Sequence, residues 1–209
     1  MRRKGRGTLC FAAGLALLLG ALGLAGYNLW DEGRAAAAAD NAMAVLSEKV
    51  VPADPITPED IVDLSGEVRI PDYVLDPEME PPALEVDGGR YIGYLEIPVL
   101  ELSLPVLEDW SYPNLKLSPC RYTGSPYQDN MVVAAHNYPR HFGRLKELIE
   151  GDEVRFTDMD GNVFAYTVVE QQQLDPQPVE AMLEGDWDLS LFTCTLGGQY
   201  RVTIRCVRA

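Results

Sequence analysis

Basic residues are scarce in this chain of 209 residues, which has 17 Lys and Arg against 32 Asp and Glu and a formal net charge of −15. No local basic patch offsets this excess of negative charge, which repels phosphate backbones and therefore disfavours nucleic-acid binding. There are only two histidines and four cysteines, and no CxxC or HxxxH spacing that would indicate a zinc site. The acidic residues are dispersed rather than clustered, so we expect no calcium site and no other metal.

The charges divide the chain into three regions. Residues 1–30 carry only basic charges, residues 31–87 carry 15 acidic against 3 basic residues, and residues 88–209 carry 17 against 10. Thr8 to Trp30 is a run of 23 residues without a charge, long enough for a helix to cross a bilayer. A cleaved signal peptide has a shorter apolar region, and Tyr27 and Trp30 suit the headgroup level, so we predict a retained anchor.

The flanking charges predict the orientation of this anchor. Four cations precede it and two acids follow it: Arg2, Arg3, Lys4, Arg6, Asp31 and Glu32. By the positive-inside rule, residues 1–7 form a cytoplasmic tail and everything from residue 31 onward lies outside the cell. We therefore expect a single-pass protein of the cell membrane.

Residues 31–89 are expected to connect this anchor to a folded domain. Arg34 to Lys49 is rich in helix-forming alanine, which predicts a short juxtamembrane helix that acts as a spacer. Val51 to Gly89 is rich in proline and acid, which is typical of an extended linker.

Residues 90–209 alternate between short apolar strands and turn residues, which predicts about eight strands. We expect a helix at Phe142 to Gly151, with Leu145, Leu148 and Ile149 on one face, and a helical turn at Val179 to Leu183. A hairpin turn is expected at Met159 to Asn162. These features predict a mainly β fold, an eight-stranded barrel with one or two short helices, preceded by the transmembrane helix at residues 8–30.

The last two strands carry the clearest chemical signal. Gly197-Gly198 can form a tight hairpin turn, which would place Cys194 opposite Arg201. The same face would carry Phe192 with Thr203 and Ser190 with Arg205, at the surface or in a groove, and the core face would carry Leu189, Leu191, Val202, Ile204 and Cys206. A thiol beside a guanidinium is favoured as thiolate, so Cys194 is a candidate nucleophile, although a small strand residue without function fits the same pattern.

A cysteine nucleophile that acts on an amide also needs a general acid to protonate the leaving amine. His136 ends the apolar strand Met131 to Ala135, and a catalytic and a structural role are equally consistent with that position. His141 lies in a polar turn and is expected to be solvated.

These residues resemble the sortases, the membrane-anchored cysteine transpeptidases of Gram-positive surfaces. The family signature TLxTC is matched by Ser190 to Cys194, with serine in place of the first threonine, and Arg201 follows on the next strand. Val132 to His136 matches the strand that ends in the family's histidine, with Ala135 where glycine is common. Further family positions are matched by Phe142, Leu145, Leu148, Gly151, Asp152, Val154, Gly161 and Tyr166.

The resemblance implies a reaction and its participants. Cys194 would attack a sorting-motif peptide of the LPxTG kind to form a thioester, and His136 would act as general acid and base. Arg201, with support from Thr193, would hold the oxyanion or the peptide. The acceptor would be an amine of a cell-wall precursor of the lipid II type or a pilin lysine, and no cofactor is needed. Two alternatives stay open, a cysteine hydrolase that uses water and a catalytically inactive, anchored binding module.

The resemblance also bears on the sortase class and on the remaining cysteines. Asp76-Pro77-Glu78 lacks the aromatic residue of the class C lid, and Gln171 to Asp188 is too short for the long helix of class B, so we favour a housekeeping, class D or class E role. Cys120 and Cys206 can either pair or remain reduced.

Overall fold

The computed structural model describes residues 4–52, 70–177, 179–195 and 197–209. Its first element is α1, a continuous helix at Lys4–Lys49. The apolar half of α1 is long and apolar enough to cross a membrane, and none of its most apolar window is buried by the rest of the chain. The helix predicted at Arg34 to Lys49 is confirmed as the second half of α1.

In the described part of the chain, nine strands follow α1 and form one sheet. They are β1 Leu84–Val86, β2 Gly89–Ile97, β3 Leu102–Leu107, β4 Cys120–Thr123, β5 Met131–Ala134, β6 Glu153–Asp158, β7 Val163–Leu174, β8 Leu189–Cys194 and β9 Arg201–Arg208. The order is β1-β2-β3-β4-β5-β8-β9-β7-β6, and β6 pairs back to β2. The strands β2 to β9 therefore close into an eight-stranded barrel, as predicted, and β1 is an additional hairpin strand on β2.

The helices of the barrel region are short. They are the α-helices α2 Asp72–Leu75 and α3 Tyr112–Leu115 and the 3₁₀ turns Pro98–Leu100, Leu145–Glu147 and Val179–Met182. The turn predicted at Val179 to Leu183 is confirmed by the last of these. The predicted hairpin turn at Met159 to Asn162 connects β6 to β7, which pair antiparallel.

The helix predicted at Phe142 to Gly151 is wrong, because only Leu145–Glu147 is helical there. Leu145 and Leu148 are buried as expected, but Ile149 is 69% exposed, so the three do not share a face. The backbone becomes extended at Leu148. The Gly151 N–H then donates to the Val168 carbonyl at 2.9 Å, which joins the chain to β7 before a second turn forms.

The linker prediction also needs correction at its end. Residues 53–69 of the predicted linker lie outside the described residues. Leu84–Val86 is not extended coil but pairs with β2, with Glu85 opposite Arg90. Asp87 and Gly88 form the turn, both with positive φ, a conformation that Gly adopts without a Cβ penalty.

The second half of α1 does not act as a spacer but packs against the barrel. Its buried apolar side chains recur at helical spacing and are mostly small: Ala35, Ala36, Ala39, Ala42 and Leu46, with buried Val50 directly after the helix. Ala42, Leu46 and Val50 belong to the same apolar cluster as Tyr91, Tyr94 and Leu107 of β2 and β3. The alanine stripe allows the helix to approach the sheet closely, so α1 and the barrel form a continuous unit.

Candidate functional site

Three strand ends meet at one point of the barrel. β5 and β8 are parallel, with Met131 opposite Leu189 and Ala134 opposite Phe192. The pairing continues for one more residue, because the Ala135 N–H donates to the Phe192 carbonyl at 3.2 Å. In this register the next residue of each strand, His136 and Cys194, lies at the same level.

The hairpin between β8 and β9 adds the third residue. Cys194 is opposite Arg201, Phe192 opposite Thr203 and Ser190 opposite Arg205, so the predicted register is confirmed. The turn has Gly197 and Gly198 at positive φ, and the Thr195 N–H donates to the Tyr200 carbonyl at 2.9 Å. Residue 196, just before the two glycines, lies outside the described residues. The topology thus brings together His136, Cys194 and Arg201.

Two cavities meet at Cys194. The first, of about 240 Å³, is lined by His136, Cys194, Arg201 and aromatic and apolar residues that include Trp110, Tyr112, Tyr122, Met182 and Phe192. The second, of about 520 Å³, is lined by Asn137, Pro139, Phe142, Arg144, Glu147, Thr195 and Val202. Both cavities are lined by Thr193 and Cys194. The half-buried thiol is therefore accessible from two sides.

The hydroxyl of Thr193 has a structural partner. It donates to the Ala135 carbonyl at 2.8 Å and so connects β8 to β5 just before Cys194 and His136. The single proton of the Thr193 hydroxyl is used in this bond. Its effect on the site is to hold the two strand ends in register.

The sequence predicts that the polar face of the last hairpin lies at the surface or in a groove. At the end of the hairpin away from Gly197-Gly198, this face is instead buried. Ser190, Thr203 and Arg205 are at most 2% exposed. The turn Val179–Met182 covers them, and the Arg205 guanidinium donates to the carbonyls of Ala181 and Met182, to Ser190 Oγ and to Gln172 Oε1 at 2.7 to 3.1 Å. Sequence reasoning missed this cover because nothing local indicates where a loop folds back.

Arg201 differs from Arg205 in its surroundings. Its Nη1 is buried and has no hydrogen-bond partner among the described residues. Arg201 lines the cavity beside Cys194. A guanidinium that lines a cavity and has an N–H without a partner is suited to bind an anionic or carbonyl oxygen.

The environment of His136 includes residues that sequence reasoning missed. Its ring lies 4.9 Å from the ring of Tyr138, whose hydroxyl donates to Asp31 Oδ2 at 2.7 Å. Burial lowers the pKa of His136, the Asp31 carboxylate opposes this decrease, and Lys116 adds to it. Asp31, the first acid after the apolar run, is thus coupled to the candidate site, and only its position next to that run could have suggested this.

His141 is not solvated, contrary to the prediction. It is 0% exposed, and both ring nitrogens lack a hydrogen-bond partner among the described residues. Burial lowers the pKa of His141 to about 4, so its imidazole is neutral at physiological pH. The turn is pulled inward by Phe142 and Leu145, which belong to the main core cluster.

The four cysteines are all free. Cys120 and Cys206 are buried and do not pair, and burial raises the pKa of each to about 12. Cys10 lies in the apolar half of α1. Cys194 is therefore the one cysteine of the barrel that is not buried.

We expect Asp31→Asn to lower the pKa of His136. The carboxylate stabilises the imidazolium, so its removal leaves burial and the Lys116 charge unopposed and disfavours the charged form. An NMR titration of the His136 C2 proton in the detergent-solubilised full chain measures this. Asp40→Asn is the matched control. Asp40 lies nine residues after Asp31 on α1 and pairs with the exposed Arg140. An equal or higher pKa in Asp31→Asn would contradict the coupling.

Comparisons with known proteins agree with this geometry. The family model for the sortase domain matches residues 95–209. Sortase C1 of pilus island 1 of group B Streptococcus is 24% identical with a TM-score of 0.53, over 60% of this chain and 66% of that chain. A pilus-related sortase C of the same organism is 25% identical with a TM-score of 0.53, over 60% and 70%.

A sortase D5 transpeptidase of Clostridium perfringens is 20% identical with a TM-score of 0.51, over 57% of this chain and 79% of that chain. No curated protein sequence matches the chain. The solved structures show the likeness of the barrel fold, and the family model covers more than half of the chain, including every strand end at which the candidate residues lie. The chain belongs to the sortase family.

Proposed function

We propose that this sortase is a membrane-anchored cysteine transpeptidase that cleaves a C-terminal sorting motif of the LPxTG kind and transfers the surface protein to an amine. The observation that carries the proposal is the convergence of His136, Cys194 and Arg201 on one cavity. In the strand registers a thiol, an imidazole and a guanidinium lie side by side, and Nη1 of this guanidinium has no hydrogen-bond partner among the described residues.

In the first half of the reaction, Cys194 Sγ attacks the carbonyl carbon of the scissile peptide bond. The guanidinium of Arg201 stabilises the negative charge on the carbonyl oxygen. The C–N bond breaks, the leaving amine takes a proton from His136, and the peptide remains on Cys194 as a thioester. Thr193 acts as a positioning residue through its bond to the Ala135 carbonyl.

In the second half, an amine attacks the thioester carbonyl and gives a proton to His136. The C–S bond breaks, a new amide bond forms, and the thiolate of Cys194 is released. No redox partner or cofactor enters this balance. The acceptor is a lipid II-type peptide or a pilin lysine, and the pilus-related sortases among the similar structures support the second source.

The two cavities favour transfer over hydrolysis. A transpeptidase must bind a donor peptide and then an acceptor next to the same sulfur, and Cys194 lies between two separate cavities. We assign the aromatic cavity with His136 to the donor peptide and the larger cavity to the acceptor. Water needs no second cavity, and an inactive binding module needs no aligned histidine and cysteine.

The anchor fits the same function. α1 extends from the uncharged run to the surface of the barrel, and the basic residues before the run favour a cytoplasmic N-terminus by the positive-inside rule. The barrel then lies outside the cell, where secreted proteins and wall precursors are found. Residues 76–80 line neither cavity beside Cys194, which supports the absence of a class C lid over the thiol.

The test uses the full chain in detergent with a labelled LPxTG-type peptide, with and without triglycine as amine. We expect the transfer product to dominate when triglycine is present, and a covalent adduct on Cys194 in mass spectrometry when it is absent. Hydrolysis at the same rate in both samples would favour the hydrolase, and no adduct or cleavage with any sorting peptide would favour the inactive module.

A further inference from the structure

The docked helix α1 fixes the height of the barrel above the membrane. Asp31 is 9% exposed and bonds to Tyr138, and the Arg34 guanidinium donates to the Lys116 carbonyl at 3.4 Å. A helix rises about 1.5 Å per residue, so Asp31 and Arg34 lie about 1.5 Å and about 6 Å beyond Trp30. Tyr138 and Lys116 are therefore at the height of the first turn outside the apolar run.

The candidate site lies at the same end of the barrel. The Tyr138 ring contacts the His136 ring, and His136 is level with Cys194. The far end of the barrel is fixed by the other end of the helix, where Met43 Sδ accepts from the Ser103 hydroxyl about 20 Å beyond Trp30. The strand ends that carry the site thus lie at the end of the barrel nearest the apolar run.

The surface at this end has the residue types of a membrane interface. We define the α3 edge as Trp110, Tyr112 and Lys116. Tyr112 is 72% exposed, Trp110 is 38% exposed, and their ring centroids are 5.2 Å apart. The side chain of Lys116 is exposed, and its carbonyl accepts a hydrogen bond from the Arg34 guanidinium. Aromatic residues with polar tips and long basic side chains are favoured at the headgroup level.

We infer that the α3 edge rests in the headgroup layer of the membrane that holds α1, so that the cavity between Trp110, Tyr112, His136 and Cys194 opens at the bilayer surface. The occupant of this surface is the lipid headgroup layer, because α1 is continuous with the apolar run and leaves no flexible linker between membrane and barrel. The inference rests on the proposed anchoring. As a consequence, donor proteins and amine acceptors that are still anchored in the membrane reach the Cys194 thiol at the bilayer surface.

Single-tryptophan variants test this surface without any peptide turnover. The full chain, with Cys194→Ala to remove activity, is reconstituted in phosphatidylcholine and phosphatidylglycerol vesicles that contain a lipid with a nitroxide on its headgroup. In the double variant Trp30→Phe and Trp187→Phe, Trp110 is the one tryptophan that remains. The variant that keeps only Trp30 is the positive control, and the variant that keeps only Trp187 is the negative control. Trp187 lies against Arg205, and Arg205 bonds to Ser190. Ser190 is about 13 Å from Cys194 along β8, so Trp187 lies away from the site.

We expect Trp110 to be quenched to a degree comparable to Trp30 and several-fold more than Trp187. Lys116→Glu should reduce the quenching of Trp110 when phosphatidylglycerol is present. Lys49→Glu should not, because Lys49 ends α1 about 28 Å beyond Trp30, further than the charge of the membrane surface extends.

Quenching of Trp110 no stronger than that of Trp187 would overturn the inference. If the wild-type chain still transferred the sorting peptide to triglycine, that result would leave the proposed function intact. An unquenched Trp30 would overturn the anchoring as well as the inference. Circular dichroism of each variant checks that the barrel is folded.

Discussion

Cys194→Ala should abolish cleavage and transfer of the sorting peptide, with a loss of at least about 10³-fold, as expected when the nucleophile of a covalent mechanism is removed. The thiol is half-buried and belongs to both cavities, so a methyl group at this position leaves the packing unchanged and removes only the reactive atom. The loss is measured as kcat/KM for a labelled LPxTG-type peptide, with thermal unfolding of the same sample.

Cys206→Ala is the matched control for this experiment. Cys206 lies on the neighbouring strand opposite Leu189, it is fully buried, and burial raises the pKa of its thiol to about 12. A thiol that stays protonated and inaccessible is not a nucleophile, so we expect activity within a few-fold of the wild type. Iodoacetamide should likewise modify Cys194 in the folded wild type and spare Cys120 and Cys206. Activity that survived in Cys194→Ala would contradict the mechanism.

Features decided by neighbouring residues could be predicted from the sequence. The register of the last hairpin follows from a turn with two glycines, and it places Cys194 beside Arg201 without any knowledge of the rest of the fold. The alternation of apolar residues in β6 and β7 predicts which side chains, such as Phe156 and Tyr166, face the core. The number of short strands predicted the barrel, and the family resemblance added His136 as the partner of Cys194.

Features decided by distant residues could not be predicted. The docking of α1 depends on a match between its alanine stripe and the surface of β2 and β3, and the alanines alone are equally consistent with a free helix. His141 is buried because Phe142 and Leu145 enter the core, although the turn around it is polar. The bond between Asp31 and Tyr138 joins residues 107 positions apart. In each case the deciding partner is absent from the local sequence.

The second large effect concerns Arg201 and Arg205, which lie on the same strand. We expect Arg205→Ala to lose stability and Arg201→Ala to lose activity. Arg205→Ala removes a 2% exposed guanidinium and leaves Ser190, Gln172 and two carbonyls without their donor. Hydrogen bonds to a buried charge contribute about 1.5–3 kcal/mol each in mutational series, although not additively. We expect the free energy of unfolding to fall by about 3 kcal/mol or more, measured by urea unfolding of the full chain in detergent.

Arg201→Ala should leave stability unchanged or slightly higher, because the buried Nη1 of Arg201 has no partner to lose among the described residues. Its activity should fall by about 10²–10³-fold, the usual cost of removing one donor to an oxyanion. Arg201→Lys should recover part of this loss, because the charge returns without the planar fork.

The pair of arginines separates a role at the reacting atoms from a role in holding the turn Val179–Met182 over the sheet. A stable but inactive Arg205→Ala, together with an unfolded Arg201→Ala, would reverse the two assignments. A loss of activity in Arg201→Ala that disappeared at saturating peptide would place Arg201 in peptide binding alone, since a donor to the oxyanion lowers kcat. The kcat measured with saturating peptide therefore decides whether the guanidinium beside Cys194 stabilises the transition state or holds the substrate.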